Sequence, residues 1–259
     1  MTPLLRAAHG GPAAAVVILA LLLGVAEDLA PARVLLVGLA VLAGQLSVGW
    51  SNDLLDARRD RAVGRTDKPL ASGELSERTV QVACVLALVA VVPLSLACGW
   101  EAGLVHLVLV ASAWTYNLGL KATAWSWAPY AVSFGLLPVV VALADDDLPP
   151  WWVPAAAALL GVGAHLVNVL PDLDDDAATG VHGLPHRIGR RRLPAAATAV
   201  LVLGSVVVTV GAGFTPVALA ALGVVAALAV VALTGRGRTP FLAAIAIALV
   251  DVVTLVAAR

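Results

Sequence analysis

Polar residues interrupt this chain at wide intervals, and the stretches between them are almost wholly apolar. Nine stretches reach membrane-spanning length, at about 12–26, 33–51, 79–97, 100–118, 126–144, 151–170, 194–212, 216–234 and 240–258. Apolar runs of this length read as helices crossing a bilayer, because lipid offers no partner for an exposed backbone. The predicted fold is therefore all-α, a polytopic membrane protein with nine transmembrane helices in one membrane-embedded domain, 1–259. Pro93, Pro138, Gly161 and Gly163 fall inside these spans, where membrane helices tolerate them and small residues allow close packing. The first run has the look of a secretory signal behind Arg6. Many spans follow it and no cleavage site sets it apart, so it is read as the first membrane helix.

Charge then orients the bundle. With nine spans the connections alternate sides. All but two of the 16 basic residues, Arg33 and Arg259, fall with the N-terminus and the connections near 52–78, 119–125, 171–193 and 235–239. The positive-inside rule places that side in the cytoplasm. Charged residues make up 13% of the chain, about half the share of a soluble domain. Cys84 and Cys98 lie in one apolar run and offer no disulfide framework or metal motif. Trp125, Trp127, Trp151 and Trp152 lie where an interfacial aromatic belt is expected. Asp145 to Asp147 read as a solvated loop on the opposite side. Asp251, well inside the ninth span, is the one deep carboxylate.

The two longest connections are both cytoplasmic, and each carries an acidic cluster. The first reads Asn52-Asp53-Leu54-Leu55-Asp56-Ala57-Arg58-Arg59-Asp60. At about 100° per residue, Asp53, Asp56 and Asp60 fall within roughly 60° on a helix, with Asn52 beside them. Like charges on one face repel, so such a face calls for a cation. The donors are hard oxygens with no His or Cys, which favours Mg²⁺ completed by water and substrate phosphate. Arg65 and Lys68, just downstream, suit the same phosphates. The plainer alternative is a solvated, salt-bridged juxtamembrane helix.

The second cluster runs from Asn168 through Pro171, Asp172, Asp174, Asp175 and Asp176 to Gly180. Asn168, Asp172 and Asp176 fall within about 80° on an ideal helix, although Pro171 must bend it or end a segment. Asp174 and Asp175 remain alternative ligands. Two such clusters on one membrane face would suit a pair of Mg²⁺ ions bridged by a diphosphate. Between them, Lys121 is suited to a phosphate and Tyr116 to donating a hydrogen bond to a leaving oxygen. A belt position for Tyr116 and a snorkelling Lys121 are the plain alternatives. His9, His106 and His165 show no ligand spacing, and His182 and His186 read as loop histidines.

The run Asn52-Asp53-x-x-Asp56-x-x-x-Asp60, followed by Arg65-Thr66-Asp67-Lys68-Pro69-Leu70, resembles the first signature of the UbiA-type membrane prenyltransferases. Asp172-x-x-x-Asp176-x-x-x-Gly180 resembles the second, and Tyr116 with Lys121 resembles their helix-four motif. The resemblance covers essentially the whole chain. It implies a helical bundle around a central cavity. Asn52, Asp53, Asp56 and Asp60 would bind Mg²⁺ and diphosphate from one side, and Asn168, Asp172 and Asp176 from the other. Arg65, Lys68 and Lys121 would hold phosphate oxygens. The chain departs from the pattern at His182-Gly183, where relatives carry Lys then Thr or Ser, and at Asp67-Lys68, where they carry Arg-Pro. The implied activity is Mg²⁺-dependent transfer of a prenyl group from a prenyl diphosphate to an aromatic or other lipid-precursor acceptor, in quinone-type or related biosynthesis. The expected partners are these substrates and the bilayer, with no nucleic acid. The implied setting is a bacterial-type cell membrane with the active site facing the cytoplasm. A terpene cyclase of the same fold would keep the metal site and lack an acceptor, but would line its cavity with aromatic rings, and this chain has only 5% aromatic residues. An ion-coupled transporter would need mid-membrane carboxylates and inverted repeats.

Overall fold

The structure, a computed structural model, describes residues 2–236 and 239–257; Arg238 and Arg259, which enter the charge asymmetry, lie outside these, as does the end of the ninth run. Every described element is helical. In chain order they are α1 (Pro3–Ala7), α2 (Gly10–Ala26), α3 (Pro31–Ala62), α4 (Glu77–Ala97), α5 (Trp100–Asn117), a 3-10 turn at Leu120–Ala122, α6 (Ala128–Leu143), α7 (Trp152–Val169), α8 (Leu173–Ala178), α9 (Leu184–Ile188), α10 (Leu193–Gly211), α11 (Pro216–Thr234) and α12 (Thr239–Ala257). Each apolar run of the sequence is occupied by one helix. Six of these, α3, α4, α7, α10, α11 and α12, are long and apolar enough to cross a membrane. The helices α2 and α6 are apolar but shorter.

The chain forms two compact units, Met1–Gly119 with Val140–Asp147, and Leu120–Val139 with Leu148–Arg259. In the first, α3 is the central element, packed by α2, α4 and α5. Pro31 starts it at a position where a missing N–H costs nothing. Ser76 caps α4 by accepting from the Thr79 N–H at 3.1 Å. Buried Ser95 holds His106 Nδ1 at 2.7 Å, which ties α4 to α5. In the second unit α7 and α10 form the main contact, with α12 against both. Their core is Leu160, Leu166, Leu193, Leu201, Val225 and Ile247.

Trp152 is buried at 8% exposure against Gly211, whereas Trp125 and Trp151 are exposed. Asp251 is buried and accepts a hydrogen bond from Ser205 Oγ on α10, so the deep carboxylate serves as a tie between two helices.

Candidate active site

The first acidic run lies on the C-terminal extension of α3, which continues to Ala62. Solvation is not its fate. Asp53, Asp56 and Asp60 are buried, at 1%, 7% and 5% exposure. The helical spacing read from the sequence therefore presents all three inward, while Arg58 points out. Asp56 is partnered. Arg59 Nη2 lies 3.0 Å from its Oδ2, and Asn52 Nδ2 donates to the same oxygen at 3.1 Å. Asn52 in turn donates to Asn117 Oδ1 at 3.2 Å, and Asn117 donates to Ser51 Oγ at 2.8 Å and Val48 O at 2.9 Å. Asn117, passed over in the sequence, thus anchors Asn52. Tyr116 sits beside it, half-buried in the last turn of α5.

Asp53 differs. Both of its oxygens are buried, and neither accepts a hydrogen bond. Lys68 Nζ lies 3.3 Å from Oδ1, close enough for an ion pair but without hydrogen-bond geometry. A buried carboxylate without donors is costly. The position fits a hard cation, and the neighbouring carboxylates and amide supply the oxygen donors that Mg²⁺ prefers. Among the described residues no three His, Cys, Asp or Glu side chains form a ready-made cage. Mg²⁺ does not require one, since it commonly takes one or two carboxylates and leaves the remaining positions to water and phosphate.

The connection after α3 brings the cations. Gly64, at φ 71°, turns the chain out of the helix. Arg65 holds Asp67 through two hydrogen bonds of 2.8 Å. That bidentate contact holds the Asp67 carboxyl down at about 2. Lys68, half-buried, reaches back to Asp53 and lies 3.0 Å from His9 Nε2. His9 also lies 3.2 Å from Asn52 Oδ1. Burial, helped by the Lys68 charge, lowers the imidazole to about 4 and keeps it neutral. No sequence spacing pointed to His9.

The second acidic run sits in the other unit. There α7 ends at Val169, and Pro171 separates it from α8. One continuous helical face over Asn168, Asp172 and Asp176 is thus replaced by a break, with Asp172 at the N-cap of α8. Its carbonyl accepts from the Asp176 N–H at 2.9 Å. Asp174 is turned out and pairs with Arg190 at 2.8 Å. Asn168 hydrogen-bonds to Tyr130 on α6. The Tyr130 ring packs on His165 with centroids 4.8 Å apart, and His165 Nε2 lies 3.0 Å from Ser126 Oγ. Ser126 also accepts from the Leu184 N–H at 3.0 Å. Lys121 is half-buried on the 3-10 turn before Ser126. Its carbonyl explains the departure at Gly183: a Cβ there would lie 2.5 Å from that oxygen and 2.9 Å from Ser126 Oγ.

The fold and site define a helical membrane protein with a buried carboxylate face beside lysine and arginine. The chain belongs to the UbiA prenyltransferase family, whose model matches residues 13–252, and is a prenyltransferase. It is similar in fold to an apo UbiA homolog from Aeropyrum pernix K1, at 19% identity and TM-score 0.76, over 93% of this chain and 96% of that one. A UbiA homolog from Archaeoglobus fulgidus bound to GPP and Mg²⁺ matches at 15% identity and TM-score 0.74 over 99% of both chains. A digeranylgeranylglyceryl phosphate synthase matches at 17% identity and TM-score 0.70, over 98% and 96%. No curated protein matches the sequence.

Proposed function

We propose that this chain transfers a prenyl group from a prenyl diphosphate to an aromatic or other lipid-precursor acceptor, of the quinone type or related, with Mg²⁺ as cofactor. The observation that carries the reading is Asp53, a buried carboxylate with no hydrogen-bond donor, facing the Lys68 ammonium. The Archaeoglobus relative with GPP and Mg²⁺ supports the ligand class.

Asp53, Asp56 and Asp60 hold Mg²⁺ in the first unit, with Asn52 oriented beside them. Asp172 and Asp176, with Asn168, serve in the second. Mg²⁺, when bound, neutralises diphosphate charge as the allylic C–O bond breaks. Lys68, Arg65 and Lys121 bind phosphate oxygens, and Tyr116 donates a hydrogen bond to the leaving oxygen. The prenyl tail belongs among apolar helices and the head at the cytoplasmic rim, in a nine-span protein of a bacterial-type membrane. Keeping water away preserves the allylic cation until the acceptor captures it and gives up a proton.

The test is turnover by the purified protein in lipid, with Mg²⁺ and geranylgeranyl diphosphate, first alone and then with phenolic acids, quinone precursors and alcohols. Diphosphate release only with an acceptor establishes transfer. Release alone, with a cyclic product, would make the protein a cyclase. Asp56→Ala and Asp172→Ala should each abolish turnover while leaving membrane insertion intact; near-normal turnover in either would remove that residue from the site.

A further inference from the structure

The N-terminal segment is built onto the acidic face of α3. Five-residue α1 has no intrinsic stability at that length. It is held by contacts to α3 and to the following connection. Trp50 Nε1 donates to the Leu4 carbonyl at 2.9 Å. Arg6 pairs with Glu74. Gly49 lets the Ala8 backbone approach so closely that any Cβ would overlap its carbonyl. Ala7 and Ala8 join Trp50, Ala57 and Leu70 in one buried cluster. The chain then reverses at His9, which adopts a left-handed conformation at φ 53°, ψ 49°. That conformation is uncommon outside glycine and is maintained only where the surroundings enforce it. The result is a histidine ring carried to Lys68 from 59 residues away in sequence.

A lysine ammonium has three donors and no acceptor. Nε2 of His9 lies 3.0 Å from Lys68 Nζ and 3.2 Å from Asn52 Oδ1, so it meets a donor on one contact and an acceptor on the other. To hold the ammonium, Nε2 presents its lone pair and the ring proton is on Nδ1; the shorter of the two contacts favours that tautomer. A neutral acceptor holds the ammonium without cancelling its charge. Asp53, 3.3 Å from Nζ, would share its own charge with any cation placed on it, and its hold on Lys68 would weaken.

We infer that His9 is a positioning residue, which accepts a hydrogen bond from Lys68 and so keeps that ammonium at the acidic face of α3, aimed at the phosphates of a prenyl diphosphate. The inference rests on the proposed function, because it gives Lys68 a phosphate to meet. His9 acts through Lys68 and touches no reacting atom.

The test is a double-mutant cycle read as KM and kcat for geranylgeranyl diphosphate, on full-length protein in lipid with Mg²⁺ and whichever acceptor supports turnover. His9→Ala should raise KM about five- to tenfold, the loss expected for one hydrogen bond to a charged group, with kcat changed less than about twofold. Lys68→Ala should raise KM further, and the double variant should be no worse than Lys68→Ala alone. Two replacements separate positioning from backbone effects. His9→Gln places an amide oxygen near the position of Nε2 and should restore most of the affinity. His9→Asn tolerates the left-handed backbone but is too short to reach Lys68, and should behave like His9→Ala. Rescue by Asn with none by Gln would overturn the inference, as would fully multiplicative effects of the His9 and Lys68 changes. A wild-type protein that neither binds nor consumes geranylgeranyl diphosphate would overturn the proposed function itself.

Discussion

Asp53→Asn separates a metal ligand from a structural carboxylate. In the protein without metal, Asp53 is 1% exposed and pairs with Lys68 at 3.3 Å. Their gross attraction at an effective dielectric of about 20 is about 5 kcal/mol. Burying the two charges costs several kcal/mol each, so the pair comes out near balance. Removing one partner is not neutral, because it leaves Lys68 without its counter-charge; Lys68 is partly exposed, so metal-free stability should fall by about 1–3 kcal/mol, or about 2–12 °C in Tm. Metal linkage behaves differently. Ligand at about 100 times its Kd stabilises the folded state by about 2.7 kcal/mol. For a chain near this size that raises Tm by about 5–11 °C. We expect the wild type to show this rise with Mg²⁺ and an unreactive prenyl thiolodiphosphate, and Asp53→Asn to lose most of it. The assay is thermal unfolding in nanodiscs, followed by the fluorescence of the seven tryptophans. A variant that keeps more than half of the Mg²⁺-dependent rise refutes Asp53 as a ligand. A metal-free loss beyond about 3 kcal/mol would instead make the carboxylate a structural partner of Lys68.

Asp67→Asn should release Arg65 from its bidentate partner. The Asp67 side chain is 62% exposed, so the pair is worth about 1 kcal/mol at most, and calorimetric Kd for the prenyl diphosphate should tighten about two- to fivefold. Weaker binding would mean that Asp67 orients Arg65 rather than competing for it. Because the Asp67 carboxyl is held at about 2, below its ordinary 3.8, this pair stabilises the fold fully above about pH 4 and loses its effect as pH falls towards 2. The same substitution should accordingly leave the pH dependence of stability between about 5 and 9 unchanged in a thermal-shift series. Gly183→Ala should cost about 1–3 kcal/mol and raise KM, because the added Cβ meets the Lys121 carbonyl, which is backbone and cannot rotate away. Unchanged Tm and KM would show that the loop moves aside freely.

The helices were legible because an apolar run of this length has few other fates; a helix occupies each run, and six of these helices are long and apolar enough to cross a membrane. The first acidic face was legible for a related reason: helical spacing is local, and α3 stays unbroken through Asp60. Burial of that face was not. It depends on Lys68, Asn117 and the N-terminal segment, brought together by tertiary packing. His9 meets Asn52 across 43 residues, and Asn52 meets Asn117 across 65. No periodicity records such pairs. Pro171 announced a break in the second run, but not that Asp172 would become a helix cap. Gly183 stood out as a departure, and its cause lies in a backbone carbonyl more than sixty positions upstream.

The length of α3 has a mechanical consequence. Its 32 residues make an unbroken rod of about 48 Å at 1.5 Å per residue, against a hydrocarbon layer of about 30 Å. Its apolar part, about 33–51, accounts for about 28 Å of that length, so the turns carrying Asp53, Asp56 and Asp60 extend past the part that suits lipid. Because the helix does not break between the two parts, packing of its apolar half by α2, α4 and α5 also fixes the heading of the carboxylates.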